Sequence, residues 1–265
     1  MSRILCQEQL LPGLDLLEKW DHAQRYGFDG IELRGRGDRH LEARLPELKA
    51  AAKSGAVLPT VSVDMPHFVG SFDDALREDA IEQMRSQLAV VADLGGTGAV
   101  TPASSGMFSR RLPPFEPPRS PSEDLKVLED SFGLLADHAA SLGVVLLLSP
   151  VNGYEDHMVN RLCDAVSLIE TIDSDALRLA AGSFHMSIEE ADPAAALHAA
   201  APYLAHVQVS DSNRLEPGAG HLDWPLFCGT LTALGYEGDL ALEGGLSGHA
   251  SDVLHRVPTL LRRFL

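Results

Sequence analysis

Short apolar runs alternate with longer amphipathic stretches along the whole chain. The short runs are rich in β-branched residues and are bounded by glycine, proline or polar clusters, which is typical of buried β-strands. Eight such runs predict strands, at residues 3–6, 30–34, 57–63, 98–101, 144–149, 177–181, 205–210 and 239–243.

The stretches between these runs have the length and the apolar period of α-helices. They predict helices at residues 14–26, 41–53, 73–94, 123–142, 160–172, 193–201, 224–234 and 250–264. In the fourth, an apolar stripe recurs at steps of three or four residues, comprising Leu125, Leu128, Phe132, Leu135 and Ala139. Several helices are expected to end at a left-handed glycine, at Gly27, Gly95, Gly143 and Gly235.

Eight strand-then-helix units predict an α/β protein with one closed (β/α)8 TIM barrel, formed as a single domain by residues 1–265. A doubly wound open sheet is the alternative. Its dinucleotide-binding form is disfavoured, because the first strand is followed by Gln7-Glu8-Gln9 rather than by a glycine fingerprint. Gly35-Arg36-Gly37 is a lone G-x-G and is interpreted as a plain turn.

Two connections are too long to be simple turns. Residues 102–121 contain Pro113-Pro114 and Pro117-Pro118, so they cannot be helical, and they follow a strand at the end of a barrel where active sites are built. Residues 211–223 also follow a strand directly. The first connection is therefore expected to be a lid or rim of the active-site mouth.

The charge balance excludes several classes of partner. Asp and Glu total 38 against 21 Lys and Arg, which gives a net charge of -17 and argues against nucleic acid and anionic membranes. No apolar run reaches the length of about 18 residues expected of a membrane span, and the first residues do not resemble a secretory signal. The expectation is a cytoplasmic protein. The scattered Cys6, Cys163 and Cys228 are expected to be buried thiols without a disulfide or zinc.

Several segments resemble one known family. The most specific are residues 206–214 (HVQVSDSNR) and 217–220 (PGAG), which are similar to that family's seventh strand and its loop. The similarity extends over residues 26–33, 93–96, 150–155, 235–238 and 242–243. The chain thus resembles the xylose-isomerase-like TIM barrels, which include ketose 3-epimerases, hydroxypyruvate isomerases and metal-dependent abasic-site endonucleases.

The resemblance implies a pocket at the carboxyl ends of the strands. There the family holds a divalent metal with a Glu ending strand five, an Asp ending strand six, a His on strand seven and a Glu ending strand eight. This chain has Ser149, Gly182, Gln208 and Glu243 at those positions. Because a hydroxyl, a glycine and a neutral amide cannot replace two carboxylates and an imidazole, we predict no metal and no other cofactor at this site.

The catalytic candidates are Glu243 and His185. A carboxylate that ends the eighth strand can serve as a general base, with a salt-bridged rim residue as the alternative. His185 matches the second half of the family's Asp-x-x-His and can act as acid, base or electrophile, with an ordinary loop histidine as the alternative.

Five further residues are predicted to bind substrate. Arg214 can clamp an oxygen group of the substrate or form a surface ion pair, and Gln208 can bind substrate or fill the barrel interior. Glu32 can face the pocket or pair with Arg34 or Arg36. His67 can line the mouth, although a packing role in its loop is the favoured interpretation, and Ser149 stands where the family has its first metal ligand.

These observations lead to two hypotheses of different classes. The first is an isomerase- or epimerase-type enzyme that removes a proton next to the carbonyl of a small sugar-like substrate, without a metal; elimination chemistry is a variant of it. The second is a non-catalytic barrel that binds a sugar-like ligand or serves as a partner subunit. Nuclease activity is disfavoured by the charge. Since the family often dimerises, a homodimer is also expected.

Overall fold

A computed structural model describes residues 2–265. Eight parallel strands close into a barrel in chain order, with β1 paired to both β2 and β8. The predicted (β/α)8 fold is confirmed. The strands are β1 Ile4–Gln7, β2 Gly30–Arg36, β3 Thr60–Asp64, β4 Gly98–Thr101, β5 Val145–Leu148, β6 Leu177–Gly182, β7 Leu204–Val209 and β8 Asp239–Leu242.

Helices pack around the outside of this barrel. They are α1 Leu16–Tyr26, α2 His40–Ala43, α3 Leu45–Lys53, α4 Asp74–Asp93, α5 Pro121–Leu142, α6 Leu162–Ile172, α7 Ser183–Glu189, α8 Pro193–Ala200, α9 Trp224–Ala233, α10 Ala250–Val253 and α11 Arg256–Arg262. Short 3-10 turns lie at Glu8–Leu10 and Ala201–Tyr203. No helix within residues 2–265 combines the length and the apolarity needed to cross a membrane.

Local sequence explains where the longest helices begin and end. Ser120 caps the start of α5 by accepting from the Glu123 N–H, and the Glu123 carboxylate accepts in return from the Ser120 N–H. Gly143 ends α5 with a left-handed φ of 71°. Four members of the predicted apolar stripe on α5 are buried, but Leu125 is 46% exposed and lies outside it. The stripe is therefore narrower than the sequence pattern indicated.

Two segments differ from the sequence prediction. Gly35 and Arg36 continue β2 rather than forming a turn, and Gly35 passes so close to the Gln87 side chain of α4 that a Cβ would lie 2.2 Å from its Oε1. The segment that carries His185 is the short helix α7 rather than a loop. Both features depend on tertiary neighbours, which a single-sequence pattern does not contain.

The carboxyl ends of the strands carry the long connections. Residues 102–120 link β4 to α5 and are fastened to the segment after β5, where the Ser109 hydroxyl donates to the Gly153 carbonyl at 2.7 Å.

The three cysteines are free thiols. Cys6 and Cys228 are buried, whereas Cys163 is exposed, contrary to expectation.

Candidate active site

A cavity of about 340 Å³ opens at the carboxyl ends of the strands, a volume within the usual range for small-molecule sites. It gathers Glu243, His185, Gln208, Arg214 and Ser149, which are five of the seven residues predicted from the sequence. Glu32 and His67 are not among its lining residues.

Arg214 is the central cation of this cavity. Its Nη2 and Nε donate to Oε1 of Glu243 at 2.9 and 3.2 Å, and its Nη1 donates to Oε1 of Glu155 at 2.8 Å. The guanidinium also lies over the Phe184 ring, 5.2 Å from its centroid. Burial alone would lower the pKa of Arg214, but the two carboxylates outweigh burial and raise it. The guanidinium is thus permanently charged and binds both acids at once.

Backbone geometry brings Arg214 to Glu243. Arg214 has a left-handed φ of 58°, an uncommon conformation for a residue other than glycine. Its carbonyl accepts from the Gly245 N–H at 2.8 Å, and a Cβ on Gly244 would lie only 2.5 Å from the same oxygen. The glycines after Glu243 therefore allow the loop after β7 to approach the end of β8.

The loop after β7 is organised by Asp211. Its carboxylate accepts from the Trp224 indole N–H at 2.9 Å and from the backbone N–H groups of Ser212, Gly218 and Leu222 at 2.8 to 3.0 Å. Burial would raise the pKa of Asp211, but these hydrogen bonds lower it to about 2. Asp211 stays ionised and holds the loop that carries Arg214.

His185 projects from α7 into the cavity lining. Its Nδ1 accepts from the Asn152 backbone N–H at 3.1 Å and lies 2.9 Å from Nδ2 of Asn152. Burial and the charge of Arg214 lower the pKa of His185 to about 4. The ring is therefore neutral near pH 7 and, because Nδ1 accepts, carries its hydrogen on Nε2. This Nε2–H can donate a hydrogen bond to an oxygen on which negative charge develops, so the neutral ring can serve as an electrophile.

Glu32 lies below the cavity instead of facing it. Its side chain is fully buried and accepts from Nε2 of Gln208 at 2.9 Å, and Nε2 of His206 lies 2.8 Å from it. Neither Arg34 nor Arg36, the partners considered from the sequence, pairs with it; Arg34 pairs with Asp64 on the cavity wall. The expected direct contact of Glu32 with substrate has no support in this geometry.

His67 is held outside the cavity by a hydrogen bond to Asp79. Its Nε2 lies 2.6 Å from Oδ2 of Asp79 on α4. The neighbouring Phe68 lines the cavity in its place. The packing role favoured for His67 on sequence grounds agrees with this position.

Some lining residues were not identified from the sequence. Glu155 bridges Arg214 and the Asn152 amide. The cavity is also lined by Gln7 on β1, by Gln9 in the 3-10 turn after it, and by Ser62 and Asp64 on β3. Gln7, Gln9, Ser62 and Asp64 lie near the carboxyl ends of β1 and β3, and that position was the signal available for finding them.

The side chains at the family's metal positions do not form a metal site. Within residues 2–265, no three His, Cys, Asp or Glu side chains are grouped so as to hold an ion. The Gln208 amide donates to Glu32, and Glu243 accepts from Arg214. A Cβ on Gly182 would lie 3.1 Å from Cδ2 of His185, so this ring takes part of the space that an aspartate there would need. The donor set does not fit a hard divalent ion.

Comparisons with known proteins agree with the fold. The family model of the xylose isomerase-like TIM barrel matches residues 20–255. The 3-dehydro-D-guloside 4-epimerase of Escherichia coli is 37% identical over 243 residues, which cover 91% of this chain and 92% of that protein. The L-ribulose 3-epimerase of Mesorhizobium japonicum is 31% identical over 82% of this chain and 71% of its own length.

A solved structure gives the same result. The crystal structure of 3-keto-D-glucoside 4-epimerase from E. coli, in its apo form, superposes with a TM-score of 0.94 at 35% identity and covers 99% of this chain and 100% of that one. The expectation of an isomerase- or epimerase-type relationship is confirmed, and the chain belongs to the xylose isomerase-like TIM-barrel family.

Proposed function

We propose that this protein is an epimerase of a small sugar that carries a carbonyl group, and that it removes the proton beside that carbonyl without a metal. The observation that carries this proposal is the contact of a carboxylate, Glu243, with a permanent cation, Arg214, in a cavity that the neutral imidazole of His185 also lines. The relatives that match most of the chain are sugar epimerases, which supports the substrate class.

Glu243 is the proposed base. Its Oε1 accepts from Arg214, while Oε2 has only a long contact of 3.4 Å to the Ser210 hydroxyl. Oε2 is therefore the oxygen available to take a proton from a substrate carbon. The pair of electrons left by that proton moves onto the carbonyl oxygen as an enolate. Return of a proton from solvent to the opposite face of the same carbon gives the epimer, and Glu243 releases the proton it took to solvent.

His185 and Arg214 are the proposed partners of the enolate oxygen. In this family's metal-containing members a divalent ion stabilises that charge, and here its ligand positions lack the necessary donors. The Nε2–H of His185 and the Arg214 guanidinium supply donors in a partly buried site, where such interactions are stronger than in water. Gln208 and Ser149 are proposed to contact substrate hydroxyls.

A matched pair of variants tests the base. Glu243→Gln keeps the size of the side chain and should lower turnover by about 10³-fold, within the range of general-base contributions. The control is Glu237→Gln, an exposed carboxylate before β8 at the other end of the barrel, which should leave turnover unchanged. The assay follows epimerisation of D-psicose, L-ribulose and 3-keto-D-glucoside in the presence of a chelator.

Each result of that assay has a definite meaning. Full activity of Glu243→Gln would show that the base is assigned wrongly. Activity that disappears with chelator and returns with manganese would refute metal independence. Binding of a carbonyl sugar without any turnover would favour the alternative, a ligand-binding or partner subunit on the same barrel.

A further inference from the structure

One fully buried carboxylate has hydrogen-bond donors all around it and is absent from the cavity lining. Oε1 of Glu32 accepts from Nε2 of Gln7 at 3.0 Å and from Nε2 of Gln208 at 2.9 Å. Oε2 accepts from the Thr60 hydroxyl at 2.9 Å and lies 2.8 Å from Nε2 of His206, a contact without hydrogen-bond alignment. Surroundings made of donors and a basic ring are those of an ionised carboxylate.

The pKa of Glu32 agrees with this geometry. Burial alone would raise it, but the nearby His206 and the hydrogen bonds from Gln7 and Gln208 outweigh burial and lower it. Glu32 therefore only accepts hydrogen bonds, and it lies inside the barrel just below the cavity.

The Glu32 carboxylate, which can only accept hydrogen bonds, determines the orientation of the Gln208 side-chain amide. The amide group has one face that donates and one that accepts, and the donating NH₂ of Gln208 points to Glu32, with a second contact of 3.2 Å to the Ser62 hydroxyl oxygen. The opposite orientation would place its carbonyl oxygen against a buried anion. Within residues 2–265 no donor reaches Oε1 of Gln208, and Gln208 lines the cavity.

We propose that Glu32 is a positioning residue that makes Gln208 present its carbonyl oxygen, and Ser62 its hydroxyl hydrogen, to one hydroxyl group of a sugar substrate. Ser62 accepts from Gln208, so its own hydrogen is free to donate into the cavity it lines. An acceptor and a donor side by side match a hydroxyl, which is both. This inference rests on the proposed function, because it specifies how that substrate is held.

The Glu32 carboxylate also orients the side-chain amide of Gln7 and, through it, that of Gln9. Since Gln7 turns its NH₂ to Glu32, its Oε1 is left to accept, and it accepts from Nε2 of Gln9 at 2.7 Å. Gln9 also lines the cavity, and its carbonyl oxygen is the part left for a ligand. One buried charge thus fixes the orientation of three cavity-lining amides, Gln7 and Gln208 directly and Gln9 through Gln7.

Side-chain amide NMR tests the orientation without any ligand. In ¹⁵N-labelled protein, the NH₂ hydrogens of Gln7 and Gln208 should exchange slowly with solvent and should shift or lose protection in Glu32→Gln. Asp239→Asn is the matched control, because Asp239 is also a nearly buried carboxylate, paired with Arg3 at the other end of the barrel. It should leave both signals unchanged. Rapid exchange of the Gln208 NH₂ in the wild type would overturn the inference.

Binding of D-psicose tests the consequence for the substrate. Gln208→Leu and Glu32→Gln should each weaken binding about tenfold, the effect of losing one hydrogen bond to a buried partner, and the double variant should lose little more than either single one. In turnover, Glu32→Gln should raise KM and largely preserve kcat, because Glu243 is unchanged. Unaltered binding by a folded Glu32→Gln, when Gln208→Leu binds weakly, would refute the role of Glu32.

These two measurements also separate the two proposals. If the wild type binds neither D-psicose nor 3-keto-D-glucoside, the proposed function fails, while the amide signals still decide whether Glu32 orients Gln208. If Glu32→Gln does not fold, amide exchange in the wild type and in Asp239→Asn still decides the orientation.

Discussion

Two acid–base pairs occupy different depths of the same barrel and differ in what they can do. Glu32 and His206 are buried below the cavity, with side chains 0% and 2% exposed. Glu243 and Arg214 line the cavity, with side chains 17% and 38% exposed. The deep pair has no access to a ligand, so its effect is confined to the groups it touches. The upper pair can exchange part of its mutual contact for a substrate.

The difference bears on how the proposed metal-free site could keep its shape. A family metal ion would both orient side chains and stabilise charge on the substrate. In our proposals the orienting part falls to the buried carboxylate and its amides, and the stabilising part to Arg214 and His185. Variants of the deep pair should mainly lower the free energy of unfolding, and variants of the upper pair should mainly lower turnover.

The largest effect is expected at the deep pair. Glu32→Leu leaves His206 and two amides buried without their acceptor, and we expect the free energy of unfolding to fall by about 3–5 kcal/mol. Arg214→Leu removes a partly exposed cation and should lower the same free energy by about 1 kcal/mol. Chemical denaturation of both variants measures this contrast. Equal losses would mean that the two pairs do not differ as described.

Epimerase turnover should be strongly affected by changes in the upper pair. Arg214→Leu should reduce epimerase turnover by about 10²–10³-fold, because the enolate loses a preorganised donor and two carboxylates lose their shared cation. Arg214→Lys keeps the charge but lacks the planar fork, and it should retain more activity than the leucine variant. An Arg214→Leu protein with wild-type turnover would contradict the role given to the guanidinium.

A smaller effect is expected in the pH dependence of stability. The pKa of His185 is about 4 in the folded protein and near 6.5 when unfolded, so the unfolded chain binds the extra proton first. The stabilising contribution is present above pH 6.5 and is lost as the pH falls toward 4, by up to about 3 kcal/mol. His185→Gln should flatten this slope, measured by denaturation at several pH values. The exposed His255→Gln should keep the wild-type slope.

The smallest effect is expected at His67. Because it pairs with the partly exposed Asp79 outside the cavity, His67→Gln should leave turnover unchanged and alter the free energy of unfolding by less than about 1 kcal/mol. Turnover assays and denaturation check this together. A loss of activity comparable to that of Arg214→Leu would place His67 in the site after all.

The fold was predictable because its evidence is local. Each predicted strand exists with its boundaries within a few residues, and Gly27, Gly95, Gly143 and Gly235 all have positive φ at helix ends, as expected. Helix α7 was missed because seven residues are too few for a helical period to be distinguished. The breaks between α2 and α3 and between α10 and α11 were missed for a similar reason.

The site was predictable only in part. Position at the end of a strand was enough to bring Glu243, Gln208 and Ser149 to one cavity. The depth of Glu32 depends on register, since it lies level with Gln7 on β1 and Thr60 on β3. The bridging role of Glu155 depends on how the segment after β5 folds back toward Arg214. Neither the register nor this fold-back can be predicted from a local sequence pattern.

The central claim is that Glu243 removes a proton beside a sugar carbonyl without help from a metal. The most direct test is deuterium incorporation from D₂O into D-psicose or 3-keto-D-glucoside, using protein shown by elemental analysis to be free of metal and kept with chelator. We predict that deuterium enters at the carbon next to the carbonyl as fast without added metal as with it, and about 10³-fold more slowly with Glu243→Gln. Incorporation that begins only when manganese is added would contradict the claim.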